Sequence, residues 1–142
     1  MLRGPGFRTG IRLPELVSHV DLPPTLVDSA GLPVPDAMQG RSLLPLLHGE
    51  DPEWPRDVLI QISESEMGRA LRTDRWKYGV TAHDMRAETY QDAYLYDLET
   101  DPDELTNLVD DPSHAGVLRE LRERLTQRVI ASGEPRPAIT SR

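Results

Sequence analysis

The chain has 142 residues, enough for one small domain, and its 37% hydrophobic content with 13 prolines points to a modest core and many loops. Its 24 acidic against 16 basic residues give a net charge of −8, which argues against a nucleic-acid partner, because phosphate-backbone binding runs on clustered Lys and Arg. The lack of cysteine excludes disulfides and thiolate zinc sites, and no apolar run approaches the ~20 residues that span a bilayer.

Residues 1–56 are rich in proline and glycine. The start, Met1 to Gly6, has no apolar signal-peptide core, so the chain as given is expected in the cytoplasm unless an export signal belongs to a longer chain. Asp21 reads as an N-cap, with Pro23 and Pro24 in a first helical turn. Leu22, Leu26, Val27 and Ala30 share one face, Gly31 fits the C′ position, and Pro33 prevents resumption, so a short helix is predicted over Leu22 to Ala30. Arg41 to His48 forms another turn or two.

The middle reads as strands. Val58, Ile60 and Ile62 alternate with Leu59, Gln61 and Ser63 in a half-buried strand. Arg69–Arg72 and Trp76–Val80 flank Thr73-Asp74-Arg75, a hairpin turn, and put Trp76, Tyr78 and Val80 on one face. Residues 82–92 are a polar, uneven loop, and Tyr94 to Leu98 returns as a fourth strand. Asp101, Pro102 and Glu104 read as N-cap, N1 and N3 of a capped helix start. A calcium loop starting at Asp97 is rejected, because Pro102 and Leu108 occupy the positions where an EF-hand needs Gly and Glu.

Asp111 and Pro112 then open a terminal helix. Leu118, Leu121, Leu125 and Val129 form its apolar stripe, and Gly133 and Pro135 stop it. Arg119, Arg122, Arg124 and Arg128 alternate with acids on what reads as a solvated face. Strands grouped together and then one covering helix give an α+β fold: a small antiparallel sheet of about four strands, packed by the C-terminal amphipathic helix and preceded by a Pro/Gly-rich segment with a short helix.

Two segments carry a family resemblance. The first runs from Gly4-Pro5-Gly6 through Leu16-Val17-Ser18-His19-Val20-Asp21-Leu22-Pro23-Pro24-Thr25 to Gly40-Arg41-Ser42-Leu43-Leu44-Pro45-Leu46-Leu47-His48-Gly49. The second joins Arg72-Thr73-Asp74-Arg75-Trp76-Lys77-Tyr78 to Leu95-Tyr96-Asp97-Leu98 and Asp101-Pro102-Asp103-Glu104-Leu105-Thr106-Asn107-Leu108. In this order they resemble the carboxy-terminal part of the sulfatases, arylsulfatase-like members of the alkaline phosphatase superfamily, from about Gly4 to Val129. The resemblance implies that residues 1–56 complete a large α/β domain and that 57–142 form the C-terminal subdomain. It further implies a parent that hydrolyses a sulfate ester, or else a phosphonate or phosphate ester.

Such enzymes use a formylglycine made in a C/S-x-P-x-R motif and a calcium ion held by Asp and Asn. Here there is no cysteine, and the nearest approach, Ser132-Gly133-Glu134-Pro135-Arg136, has its proline and arginine one position late. No family catalytic, cofactor or metal residue carries over onto this chain, and calcium and formylglycine are expected only in a complete member. His19, His48, His83 and His114 lack metal-ligand spacing and read as surface or packing residues, with His19 nearest the junction to the missing domain. Ser18, His19 and Asp21 are too close in sequence to form a relay. Trp54, Trp76 and the tyrosines offer sugar-stacking faces but read first as core. The loop from Thr81 to Ala93 is the best functional surface, since binding residues favour loops on a rigid scaffold. The expected partner is the large catalytic sulfatase domain, met through an apolar patch around Leu22, Leu26 and Leu43-Leu44. The rival reading is a non-catalytic module that self-associates through the same patch.

Overall fold

The structure, a computed structural model, describes residues 3–4, 7, 10–50, 53–64, 66–82 and 89–142. Contacts divide the chain into Met1–Arg56 and Asp57–Arg142. In the first unit a 3-10 turn, His19–Asp21, leads into helix α1, Leu22–Ser29, and a second short helix, α2, spans Leu44–His48. Prolines near the first positions of both helices lack the N–H that would be orphaned there. Gly31, at φ 72°, closes α1: its N–H bonds Asp28 O at 2.8 Å and that of Leu32 bonds Val27 O at 3.2 Å.

Two expectations need correction here. The Asp21 carboxylate makes no cap bond to α1. It turns back to accept from Ser18 N at 2.8 Å and reaches across to Arg41 N at 3.0 Å. Leu43 is also no part of an exposed patch. It lies 5% exposed in a small core with Leu46 and Trp54, and Leu22 packs against them. Leu26, at 58% exposed, does face outward.

The second unit is a sheet of five strands in chain order: β1, Asp57–Ser63; β2, Met67–Thr73; β3, Trp76–Ala82; β4, Thr89–Asp97; and β5, Ala138–Thr140. The first four form an antiparallel meander, and β5 adds a short parallel edge beside β4. Strand β4 starts at Thr89 rather than Tyr94. A bulge pairs Gly79 with Tyr94 but Val80 with Asp92, leaving Ala93 as the extra residue. That insertion breaks the two-residue period, which is why 89–93 reads as loop in the sequence.

Helix α3, Ala115–Ala131, follows a 3-10 turn whose N-cap Asp111 accepts from Ser113 N at 2.9 Å. Its buried stripe, Leu121, Leu125 and Val129, packs on Leu71, Tyr78, Val80 and Leu95. Gly133, at φ 88°, ends it: Gly133 N–H bonds Ile130 O at 3.0 Å and Glu134 N–H bonds Val129 O at 3.3 Å.

Burial in β1 falls along the strand instead of alternating, from buried Asp57 through half-buried Val58 and Leu59 to exposed 60–63, and the face that meets the core is not that of Val58, Ile60 and Ile62. Leu59 packs against the helix-side core, whereas Ile60 and Ile62 are 37% and 48% exposed. The inward place is taken by Asp57, because Arg124 and Arg128 meet its carboxylate at 2.7 and 3.1 Å. The arginines of α3 are therefore not a merely solvated face. The helix expected after Asp101 does not form either. The Asp101 carboxylate caps a turn instead, accepting from Leu105 N at 3.1 Å and Thr106 N at 2.8 Å, and Glu104 takes a left-handed φ of 56° that no helical N3 residue has.

Candidate functional site

The family-like motifs turn out to be clamps. In the first unit Thr25 Oγ donates to Asp21 O at 2.5 Å and accepts from Leu43 N at 2.9 Å. Ser42 Oγ donates to Asp28 at 2.5 Å. Gly40 lets the loop approach this closely: a Cβ there would stand 1.9 Å from Val20 O. Gly40-Arg41-Ser42-Leu43 is thus tied to α1 through a glycine and three side chains. In the second unit Arg75 forks onto Asp97 at 2.9 and 2.7 Å, and this hydrogen bond holds the Asp97 carboxyl below the usual carboxylate range. Asn107 extends the edge of β4, accepting from Leu95 N at 3.0 Å and Val109 N at 3.1 Å while donating to Ala93 O at 3.0 Å.

The buried acids under α3 are each met by a cation. Tyr78 Oη, fully buried, donates to Asp92 Oδ1 at 2.6 Å, and Arg122 meets the other Asp92 oxygen. Burial first, and then the Asp92 carboxylate, push the Tyr78 hydroxyl up, so it stays protonated at neutral pH. Arg69, also buried, meets Glu134 at 2.7 Å and donates to Gly68 O at 2.7 Å. In each case the acid's lone pairs are spent on fixed partners. None of these groupings pairs a nucleophile with a base that could activate it.

The histidines do not converge. His19 and His48 are exposed, in separate elements. His114 hydrogen-bonds Asp111 at 3.0 Å and meets the Trp76 ring edge-on at 5.9 Å, a packing role. His83 lies outside the described residues. Ser18 and Asp21 form a capping box at the start of the 3-10 turn, with Ser18 N donating to the Asp21 carboxylate, and no histidine enters it as a relay would require. Among the described residues no three His, Asp or Glu side chains gather in one place. Formylglycine has no precursor motif in the sequence. Of the loop expected over 82–92, residues 83–88 lie outside the described part and 89–92 belong to β4.

What the sequence reading missed is the sheet face turned away from α3. Register places Ile60, Ala70, Gly79 and Tyr94 in one row across β1 to β4, with Ile62 and Gly68 in the next. Small residues at the floor leave a depression of about 410 Å³, walled by Ile60, Ile62 and Tyr94. Gly79 is required: a Cβ would stand 2.2 Å from Tyr94 Cζ, because that ring lies flat across β3. Burial raises the Tyr94 hydroxyl, Tyr96 stacks beside it at 5.6 Å, and Lys77, paired with Glu104 at 2.5 Å, sits 5.7 Å from the Tyr94 ring. The signal available in the sequence was Gly68-x-Ala70 facing Gly79, small residues spaced by two on neighbouring strands.

Comparison with known proteins agrees with this architecture. The family described as N-sulphoglucosamine sulphohydrolase, C-terminal, matches residues 1–131. Arylsulfatase K of Rattus norvegicus is 35% identical over 118 residues, covering 76% of this chain and 20% of that protein. The choline-sulfatase of Rhizobium meliloti is 35% identical over 118 residues, covering 79% of this chain and 21% of its own length. Among solved structures, a phosphonate monoester hydrolase from Silicibacter pomeroyi superposes with a TM-score of 0.73 at 28% identity, covering 90% of this chain and 28% of that one. The chain thus spans about a fifth of the length of the curated relatives it matches.

Proposed function

Because this chain belongs to the N-sulphoglucosamine sulphohydrolase C-terminal family, the carboxy-terminal region of sulfatases, we propose that it serves as the supporting lobe of a sulfuric ester hydrolase. In this reading it completes the fold and borders the substrate pocket, and it does no chemistry alone. Calcium and formylglycine belong to the remainder of such an enzyme. Residues 1–56 complete the large α/β domain, and 57–142 are the subdomain beside it.

The observation that carries the reading is the state of the polar groups. Asp92, Asp97 and Asp57 are each held by arginines, and the motif residues Asp21, Thr25 and Asn107 are spent on backbone groups. A chain whose family motifs are all structural supports an active site without containing one. The parent's substrate is a sulfate ester in this reading, with a phosphonate or phosphate ester as the lesser alternative, favoured by the phosphonate monoester hydrolase likeness.

A chimera tests it. The region of the Rhizobium meliloti choline-sulfatase that this chain matches is replaced by residues 1–142, and turnover of choline sulfate is compared with that of the enzyme truncated at the same point. Rescue to within about tenfold of the parent is expected. No rescue, or turnover of an aryl sulfate ester by the 142-residue chain alone, would overturn the proposal.

A second reading, a self-associating module, draws on Val17, Val20 and Leu26, which are 46%, 54% and 58% exposed in the first unit. Light scattering separates the two: a concentration-dependent dimer favours the module.

A further inference from the structure

We infer that the sheet face opposite α3 is the surface through which this lobe docks on the rest of a sulfatase, with Arg72 as its anchor for a carboxylate on that partner. The inference rests on the supporting-lobe reading and adds to it a face and a contact.

An antiparallel sheet with one face on the core and one in water alternates apolar inward and polar outward. Here β1 turns Val58, Ile60 and Ile62 to the side away from the helix, over a floor of Gly68 and Ala70. That is the composition of a layer still to be covered. The relatives supply candidate cover, since about four-fifths of arylsulfatase K lies beyond the matched region.

Arg72 says what the cover carries. It stands on this same face, cross-strand from Val58 on one side and Lys77 on the other. Among the described residues three arginine Nε atoms are buried without a hydrogen bond: those of Arg72, Arg122 and Arg128. The last two still have a carboxylate against the guanidinium, Asp92 for Arg122 and Asp57 for Arg128. Among the described residues Arg72 has none. Its neighbour Lys77 is already taken by Glu104 at 2.5 Å, so it offers a like charge and no counter-ion. A partly buried guanidinium with an unmatched donor is costly, and on a chain with 24 acidic and 16 basic residues the lack of an ion-pair partner for Arg72 among the described residues stands out. A carboxylate arriving with an apolar surface would remove the deficit. Arginine in an apolar setting is also a frequent centre of binding energy at interfaces.

The chain has no cysteine, so single cysteines report locally. In the choline-sulfatase chimera, Ile62→Cys is compared with Ile130→Cys on the outer side of α3, two positions of matched exposure in the chain, 48% and 44%. Peptide-resolved iodoacetamide labelling should be at least tenfold slower at Ile62→Cys. Adding Arg72→Glu should erase most of that protection, and Arg72→Gln a smaller part. Equal rates at the two cysteines in a chimera that still turns over choline sulfate would overturn the docking face and leave the supporting-lobe reading standing. Protection unchanged by Arg72→Glu would overturn the anchor. Protection lost on dilution would mean that a second copy covers the face, also against the inference. A chimera without turnover fails the supporting-lobe reading itself, and this inference with it.

Discussion

The two units of the chain are held together by different forces. Among the described residues, Asp57–Arg142 has a core cluster of nine buried apolar residues shared between one helix and the sheet, and each large side chain so buried contributes about 1.5–3 kcal/mol. Among the described residues, the cluster in Met1–Arg56 has three, Leu43, Leu46 and Trp54, and this unit is ordered mainly by side chains gripping backbone groups. Such hydrogen bonds contribute about 1 kcal/mol each, net, but leaving one unmade costs more. The second unit should therefore tolerate loss of any one polar contact. The first should depend on each of its clamps. The difference also explains why its motif, Asp21 to Thr25 with Gly40 to Leu43, is so particular in residue type: a clamp requires one donor, one acceptor and one glycine, whereas a core requires only volume.

The sharpest way to break this comparison is to remove volume from the larger core. Leu125 is fully buried between α3 and the sheet. Leu125→Ala should cost about 2–5 kcal/mol, because the cavity it leaves cannot collapse against a sheet on one side. Hydrogen exchange over residues 67–82 should accelerate accordingly, while exchange over 22–30 stays near its original rate. Equal acceleration in both stretches would show that the two units unfold as one and would end the distinction drawn here.

A clamp mutation sharpens the other half. Thr25→Val keeps shape and removes the hydroxyl that takes Leu43 N–H and gives to Asp21 O. It leaves a buried amide unmatched, at about 1–3 kcal/mol. The expected result is faster exchange at Leu43 and its neighbours, about tenfold for each 1.4 kcal/mol lost, with no change over 67–82. An unaltered Leu43 amide would mean that apolar packing, and not the clamp, orders this unit.

Much of this was legible in the sequence, and the exceptions have physical causes. Helix α3 was readable because its stripe repeats at helical spacing with a proline behind Asp111 and a glycine after it, signals that reinforce one another. Strand β3 was readable because Trp76, Tyr78 and Val80 recur at a spacing of two. The start of β4 was hidden by the bulge at Ala93, which shifts the period in mid-strand. The orientation of β1 was hidden because a strand of Val, Leu and Ile is apolar on both faces, and the deciding residue, Asp57, is buried only because α3 returns Arg124 and Arg128 to it from far along the chain. The clamps were visible as family-like motifs, but their partners were not: Asp21 to Arg41 and Thr25 to Leu43 are contacts across a loop that no spacing rule encodes. Arg72 belongs to a family-like motif, yet its unmatched Nε among the described residues is a property of the folded sheet.

The gentlest test is acid. Asp97 and Asp111 have carboxyls held below their ordinary range, the first chiefly by the hydrogen bond from Arg75 and the second by hydrogen bonds from Ser113. A carboxyl whose folded pKa lies below its unfolded value, about 3.9, favours the folded state fully above that value and loses its contribution as pH falls through the folded pKa. Both groups belong to the second unit, so its unfolding temperature should drop as pH goes below about 4. Arg75 is half exposed, which keeps the effect small through solvent screening. Arg75→Ala should remove the Asp97 share: the variant and the parent should differ most at neutral pH and converge in acid. Parallel curves would mean that the Arg75–Asp97 fork holds geometry without favouring the charged carboxylate, and that the hairpin between β2 and β3, like the core beneath it, is stabilised by packing alone.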